Sequence, residues 1–188
     1  DSHKLIFHPE KVANWLAGDN IYPIYAEIGL TRTCNHRCSF CAFDYMGYKN
    51  KFLDKDILKE RLTEIKSSGL KSILFSGEGE PLLHRYASDI INTAKEIGID
   101  VACVTNGVYL TEEFVKACLK SLTWIKVSID AGKAHTYTKI HRTRKDDFKK
   151  VIQNIIYAVK FKKKNKLNTT IGSQLLLLPE NTKEISLL

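Results

Sequence analysis

The chain has 188 residues, of which 44% are hydrophobic and 27% charged, a balance typical of a globular protein with one sizeable core. It contains no run of about eighteen apolar residues, and its N-terminus lacks the charged-then-apolar pattern of a signal peptide. Five cysteines, three of them close together, suit a reducing compartment and a metal site better than a disulfide framework. We therefore expect one domain over residues 1–188, without a membrane segment and with a cytoplasmic location.

The net charge of +8 is compatible with binding to nucleic acid, with a phosphorylated substrate or with a solvated basic surface. Much of the excess comes from the lysine-rich run at 160–166. This run ends a predicted helix, where cations also complement the helix dipole. The charge pattern thus favours a structural explanation over a binding patch.

Strand-like and helix-like segments alternate along the chain, which is the pattern of a parallel α/β fold. After an N-terminal extension at 1–23, the predicted elements are strand 24–30, helix 54–68, strand 71–76, helix 86–97, strand 100–105, a helix capped by Thr111, strand 124–130, a His- and Arg-rich loop at 135–144, helix 146–164 and strand 169–178. Asp54 caps the first helix and Gly69 stops it. Residues 180–188 begin a further helix, after which no residues are left for a sixth strand, so the fold looks truncated.

Three cysteines follow the first predicted strand, in the run from Thr33 to Cys41, with spacings of three and then two residues. Loops at the carboxyl ends of parallel strands are where such folds place their sites, so Cys34, Cys38 and Cys41 can converge on one metal centre. Three protein ligands on a four-iron cluster would leave one iron open for a ligand. The alternative is a zinc ion held by the three cysteines and His36.

The cysteine motif resembles that of the radical S-adenosylmethionine (SAM) superfamily, which also has an aromatic residue just before the third cysteine, here Phe40. The resemblance extends from residue 24 to about residue 181. It implies a partial (β/α)6-type barrel, here truncated after about five βα units, with a [4Fe–4S] cluster on Cys34, Cys38 and Cys41. It also implies that SAM binds at the cluster and that Phe40 lies against its adenine.

The turn after the second strand reads Gly77-Glu78-Gly79-Glu80-Pro81 and resembles the family's Gly-Gly-Glu-Pro element, which receives the amino group of SAM. Glycines allow a ligand to approach the backbone, and a carboxylate or a carbonyl can accept from an ammonium group. Glu78 stands between the two glycines and departs from the family's pattern. The resemblance therefore assigns Gly77, Gly79, Glu80 and Pro81 to SAM binding without fixing which glycine matches the first.

The ends of the later strands supply the remaining predicted SAM contacts. Asn106 closes the third strand as in the family, and Ser128 and Asp130 resemble the residues that reach the ribose. A two-residue spacing on a strand would put these two side chains on one face. Gln174 and Leu176, on the fifth strand, are candidates for the adenine pocket, with Gln174 expected to be a buried amide. The structural alternative is that Asp130 caps the next segment and Ser128 is a small core residue.

The sequence contains further polar and sulfur-bearing residues outside these motifs. Glu27 and Lys126 lie within strands and either point into the barrel or lie at the surface. Cys103 and Cys118 stand alone in apolar surroundings and are expected to be buried and structural. The donor-rich segment 134–144 could meet a carboxylate or a phosphate, or be a solvated loop.

The resemblance implies an enzyme that reductively cleaves SAM to a 5′-deoxyadenosyl radical, which abstracts hydrogen from an unidentified substrate. It implies a small-molecule or peptide substrate and an electron donor such as flavodoxin or ferredoxin, and it names no catalytic residue beyond the cluster ligands. The alternatives are a zinc-containing nucleic-acid-binding module, an RNA-modifying radical SAM enzyme, and an enzyme with auxiliary clusters whose cysteines would lie past residue 188. The RNA-modifying branch needs additional catalytic cysteines, and Cys103 and Cys118 look structural, which argues against that branch. Nucleic acid is not the favoured partner.

Overall fold

A five-stranded parallel sheet, with its strands hydrogen-bonded in chain order, forms the centre of the computed structural model, which describes residues 6–187. The strands are β1 (Tyr25–Ile28), β2 (Ser72–Phe75), β3 (Asp100–Thr105), β4 (Leu122–Ser128) and β5 (Thr170–Gln174). Each neighbouring pair is parallel and is joined by a helical crossover. The predicted α/β class and the order of its strands are confirmed.

Five of the seven α-helices in the described residues cover one face of this sheet. In chain order the helices are α1 (Pro9–Leu16), α2 (Ala42–Tyr45), α3 (Lys55–Ser67), α4 (Ala87–Glu96), α5 (Glu112–Cys118), α6 (Ala134–His141) and α7 (Asp147–Lys164), of which α1 and α2 contribute no buried residue. Alternate strand residues, such as Ile73, Phe75 and Val127, are buried in the core that these helices share with the sheet. The residues between them, including Glu27 and Lys126, belong to the opposite, more open face. A sheet wound in one direction with helices on one face is a partial barrel, and this second face is its interior.

Local sequence signals explain where the helices begin and end. The Asp54 carboxylate accepts from the backbone N–H groups of Asp56 and Ile57 at 2.9 and 3.0 Å, which caps α3 as predicted. Gly69 follows the helix with a φ of +100°, a conformation that a glycine adopts without strain. Thr111 caps α5 through the N–H of Phe114. Cys103 and Cys118 are both fully buried, as expected of structural thiols.

The predicted ends of β4 and β5 are wrong by two and four residues, respectively. Strand β4 ends at Ser128, because Asp130 has a φ of +54° and leaves the extended conformation. Strand β5 ends at Gln174, because the backbone N–H of Leu176 turns to the Asp130 carboxylate at 2.6 Å. Ser128 and Asp130 therefore do not share one face of a strand.

The sequence predicts a loop at 135–144, but the structure has helix α6 over most of this segment. Its polar composition concealed a buried face formed by Thr136, Tyr137, Ile140 and His141. These positions recur at spacings of three and four residues, which is the period of a helix. This helical spacing indicates α6, and the polar composition of the segment alone does not.

The two chain ends were predicted only in outline. Helix α1 lies in the extension at 1–23, with Pro9 in its first turn, and residues 1–5 lie outside the described part. The expected terminal helix is a 3-10 helix at Thr182–Leu187, and residue 188 is not described. A single domain over the whole chain stays a prediction. Among the described residues, no helix has both the length and the apolar character needed to span a bilayer.

Candidate functional site

The three clustered cysteines line one cavity at the carboxyl end of the sheet. Cys34, Cys38 and Cys41 lie between β1 and α2 and are all half-buried. Of the ten other residues predicted to form the site, six line this cavity, namely Phe40, Gly77, Gly79, Glu80, Asn106 and Ser128. The fold therefore brings together the cysteine loop and the ends of β2, β3 and β4.

Backbone hydrogen bonds fix the cysteine loop to its neighbours. The N–H groups of Arg37 and Ser39 donate to the carbonyls of His141 and Ile140, at 3.0 and 2.8 Å, which ties the loop to the end of α6. On the other side, the carbonyl of Thr33 accepts from the N–H of Glu80 at 2.8 Å. The loop is thus held between two other segments before any ligand is considered.

Each cysteine sulfur has one polar neighbour. The N–H of His36 lies 3.4 Å from the Cys34 sulfur, and the Nδ1 of His141 lies 3.1 Å from that of Cys38. The Tyr48 hydroxyl lies 3.1 Å from the sulfur of Cys41. Burial raises the pKa of Cys34 to about 11 and that of Cys38 to about 12. These two thiols are therefore protonated near pH 7 in the absence of a metal, and a bound metal centre would deprotonate them.

The separation of the sulfur atoms tests which metal centre fits. Within residues 6–187, His36, Cys38 and His141 form the single trio of His, Cys or acidic residues whose donor atoms all lie within 4.8 Å of one another. The three cysteine sulfurs do not form such a trio, whereas a single tetrahedral zinc with bonds of about 2.3 Å would hold them about 3.8 Å apart. A cluster of four irons places its ligands further apart. The cysteine set fits a cluster better than the alternative Cys₃His zinc site.

His36, the proposed fourth zinc ligand, is fully buried and lies beside α7. Its Nε2 is 3.5 Å from a carboxylate oxygen of Asp147, and its ring nitrogens have no hydrogen-bond partner among the described residues. Burial lowers the pKa of His36 to about 4, so the ring is neutral near pH 7. It packs edge-on to Tyr137 and near His141. This position serves the packing between the cysteine loop, α6 and α7.

The glycine-rich turn after β2 packs directly on the cysteine loop. A Cβ atom on Gly79 would lie 2.5 Å from the carbonyl oxygens of both Thr31 and Thr33, so only glycine fits there. The two carboxylates of this turn, on Glu78 and Glu80, already have partners. Glu78 pairs with Arg32, and Glu80 accepts hydrogen bonds from the side chain of Thr105 and from two backbone N–H groups. Backbone carbonyls are the acceptors that this turn leaves for a ligand.

Glu80 joins the ends of β2 and β3. Its oxygens lie 2.6 Å from the Thr105 hydroxyl, 2.7 Å from the Asn106 N–H and 3.0 Å from the Leu82 N–H. Burial raises its pKa, and these three donors oppose that effect. The side-chain amide of Asn106 in turn donates to Asn35 in the cysteine loop at 2.8 Å. Glu80 and Asn106 therefore hold three loops in one arrangement.

Comparison with known proteins identifies the family. A sequence model of the Radical SAM superfamily matches residues 28–186. The chain belongs to this superfamily. Its members use a [4Fe–4S] cluster and SAM, and the donor set and spacing of the cysteine loop fit that cluster. The resemblance inferred from the cysteine motif is confirmed.

The curated relatives of this superfamily member include two kinds of enzyme. An S-adenosylmethionine-dependent nucleotide dehydratase of Lacinutrix mariniflava is 37% identical over 118 residues, covering 60% of this chain and 25% of that protein. A GTP 3′,8-cyclase of Clostridium acetobutylicum is 36% identical over 156 residues, covering 78% of this chain and 47% of that protein. The chain therefore spans between a quarter and about half of the length of these relatives.

Solved structures of the superfamily share the fold. A structure of TYW1 with a lysine-pyruvate adduct bound has a TM-score of 0.64 at 18% identity and covers 92% of this chain and 65% of that one. A structure of anSMEcpe with bound AdoMet has a TM-score of 0.58 at 22% identity, covering 80% of this chain and 43% of that one. At these identities the likeness shows a common fold, and it confirms the predicted partial barrel.

Four of the residues predicted to bind SAM do not line the radical SAM cavity. Pro81 is buried and starts a short 3-10 turn. The Asp130 side chain is 1% exposed and accepts from the N–H of Leu176. Gln174 and Leu176 are exposed at the edge strand and just beyond it, so the expectation of a buried amide at Gln174 is wrong. The direct SAM contacts predicted for these four residues stay predictions.

The sequence analysis missed two residues that touch the cysteine sulfurs, Tyr48 and His141. His141 is 1% exposed, and its Nε2 lies 2.9 Å from the carbonyl oxygen of Ile129 and 3.6 Å from Asp130. It follows the buried Tyr137 and Ile140 at helical spacing, which marks it as an inward-facing residue. Tyr48 lies seven residues after Cys41 in a segment without regular structure, and no sequence pattern indicated its position.

Proposed function

We propose that the protein containing this chain reductively cleaves SAM at a [4Fe–4S] cluster held by Cys34, Cys38 and Cys41, and that it acts on a further substrate. The observation that supports this most directly is the single cavity shared by the three cysteines, the glycine-rich turn and Ser128. When bound, the cluster and SAM supply one electron to break a carbon–sulfur bond and a 5′-deoxyadenosyl radical that takes hydrogen from the substrate.

The protein's own residues would bind and orient these groups. The three cysteines would supply three thiolates to the cluster, one fewer than its four irons. The carbonyls of the turn from Gly77 to Gly79 are the acceptors for an ammonium group, because the carboxylates of Glu78 and Glu80 are already paired. We expect the Ser128 hydroxyl to contact the ribose of SAM. The ring of Phe40, which is 40% exposed, would contact the adenine.

The test is formation of 5′-deoxyadenosine. The chain is reconstituted anaerobically with iron and sulfide, reduced and given SAM, and the product is quantified by chromatography. We expect Cys34→Ala, Cys38→Ala and Cys41→Ala each to abolish both the cluster absorbance and the product. Cys118→Ala, which removes a fully buried thiol remote from the loop, is the matched control and should retain both. Product formed at the wild-type rate by a Cys38→Ala protein would overturn the assignment.

We further propose that the substrate is a nucleotide. Superfamily members act on small molecules or peptides, and the fold neighbours are too distant in sequence to choose between these. The two kinds of curated relatives are both named for reactions on nucleotides, and each exceeds 30% identity. Lys126, on the open face of the sheet two residues before Ser128, is a cation on the side of the barrel where an anionic substrate would lie.

Deuterium transfer tests the substrate class. Ribonucleoside triphosphates deuterated on the ribose are each incubated with reduced protein and SAM, and 5′-deoxyadenosine is examined by mass spectrometry. We expect deuterium from at least one nucleotide, and none from a short peptide that carries deuterium on its own carbon atoms and is supplied at the same concentration. Deuterium-free product with all four nucleotides would reject the nucleotide proposal while leaving SAM cleavage intact.

The same assay tests the proposed class of electron donor. Flavodoxin or ferredoxin then replaces the chemical reductant, and 5′-deoxyadenosine is measured as before.

A further inference from the structure

The polar neighbours of the three cysteine sulfurs differ in what they can offer a thiolate. The His36 neighbour is a backbone N–H. The Nε2 of His141 lies 2.9 Å from the carbonyl oxygen of Ile129, which requires the hydrogen of the neutral ring on Nε2. Its Nδ1 then faces Cys38 as an acceptor. Of the two side-chain neighbours, the Tyr48 hydroxyl, 3.1 Å from the Cys41 sulfur, is the one that can donate a hydrogen to its sulfur.

Tyr48 is brought to Cys41 by the backbone. The segment after it runs antiparallel to the start of the cysteine loop, with the N–H of Lys49 bonded to the carbonyl of Arg32 and the N–H of Arg32 to that of Lys51. A bridge between Thr31 and Phe52 continues this pairing. This pairing places Tyr48 next to the cysteine loop, even though Tyr48 lies in no helix or strand.

Arg37 packs against the face of the Tyr48 ring and holds it in place. Its guanidinium carbon lies 4.4 Å from the centroid of the ring, and its Nη1 donates to the carbonyl oxygens of Cys34 and His36 at 2.7 and 2.8 Å. One arginine thus joins the phenol ring to the backbone of the first cysteine. The hydroxyl is held toward the cavity that all three cysteines line, and Tyr48 lines that cavity as well.

We propose that Tyr48 is a positioning residue that donates a hydrogen bond from its hydroxyl to the Cys41 thiolate and thereby raises the reduction potential of the cluster. The inference rests on the proposed function, because it needs a cluster on Cys41. A donor to a ligating sulfur stabilises negative charge, and the reduced cluster carries one more negative charge than the oxidised one. Removing the donor makes the cluster harder to reduce.

The experiment compares three reconstituted proteins: wild type, Tyr48→Phe and Tyr45→Phe. Phenylalanine keeps the ring under Arg37 and removes only the hydroxyl. Tyr45 is 87% exposed on α2 and serves as the matched control for loss of a nearby hydroxyl. Iron and sulfide contents are measured first, and the midpoint potential is then determined by a redox titration followed by electron paramagnetic resonance.

We expect normal iron and sulfide in all three proteins, and a more negative midpoint potential in Y48F alone. The reduced-to-oxidised ratio of Y48F at a fixed potential should fall roughly three- to tenfold, tenfold corresponding to about 59 mV for one electron. A Y48F potential equal to that of wild type and Y45F overturns the inference, as does a Y48F protein that assembles no cluster. A wild-type protein without a cluster would instead reject the proposed function.

Discussion

Two buried carboxylates, Glu80 and Asp130, lie at the ends of strands where SAM contacts were predicted, and the structure uses them differently. Glu80, 3% exposed, accepts from three donors, which lie at the end of β3, on the residue after it and in its own turn. Asp130, 1% exposed, has one backbone donor, Leu176, and lies 3.6 Å from the His141 ring. The first carboxylate is fully satisfied, and the second is joined to a histidine that contacts a cysteine of the cluster loop.

This difference shows that the two halves of the cavity are built by different means. The side formed by β1, β2 and β3 is fixed by close backbone packing and by a saturated carboxylate. The side formed by β4, β5 and α6 depends on a short chain of polar contacts from Leu176 through Asp130 and His141 to Cys38. We therefore expect changes on the first side to alter folding most, and changes on the second side to alter it less.

The largest effect is expected from Gly79→Ala. Its Cβ would overlap the carbonyl oxygens of Thr31 and Thr33 at 2.5 Å, and neither backbone group can move without displacing the cysteine loop. We expect a loss of about 3 kcal/mol in the free energy of unfolding, the upper end for overpacking. Urea denaturation measures this loss, and iron retained after reconstitution should fall with it.

Gly172→Ala is the matched control for this change. Gly172 lies on β5, and a Cβ there would meet nothing within 4 Å. Its stability should stay within about 0.5 kcal/mol of wild type. A G79A protein as stable as G172A would show that the glycine-rich turn does not pack on the cysteine loop as the structure has it.

The next effect is expected from Glu80→Gln. The amide can keep one oxygen toward Thr105 and Leu82, but its NH₂ group would then face the N–H of Asn106, leaving a buried donor without an acceptor. We expect a loss of about 2 kcal/mol in the free energy of unfolding. Asp89→Asn, a change at a half-exposed carboxylate on α4, should cost much less. Equal losses would contradict the role given to Glu80.

The sequence predicts the saturated side of the cavity better than the other side. Strand β3 and the Asp54 and Thr111 caps follow from local patterns and are found as predicted. The position of Asp130 could not be predicted in the same way, because its φ of +54° results from contacts with Leu176 and with Asn181, which donates to its carbonyl at 2.8 Å. Long-range contacts of this kind leave no periodic signal in the chain.

A smaller effect is expected from Asp130→Ala. It removes the acceptor of the Leu176 N–H and leaves that donor without its carboxylate, at a cost of about 1.5 kcal/mol. Asp130→Asn keeps an acceptor oxygen and tolerates the left-handed conformation, so it should lose less stability than D130A. Thermal unfolding of the two variants measures the difference. If D130A were as stable as D130N, the contact to Leu176 would not hold the end of β5.

The smallest effect on folding is expected from Ser128→Ala, at the end of β4. Its hydroxyl lines the cavity and makes no hydrogen bond to another described residue, so the free energy of unfolding should change by less than about 0.5 kcal/mol. If the hydroxyl binds the ribose, the variant should lose about 1 kcal/mol of SAM binding, roughly fivefold in the dissociation constant, with normal iron. Calorimetry on the reconstituted protein measures this change, with Ser173→Ala on the exposed strand β5 as the control. Loss of iron in S128A, or unchanged SAM binding, would reject the ribose contact, because a residue that acts only on the nucleoside has no reason to disturb the cysteine ligands.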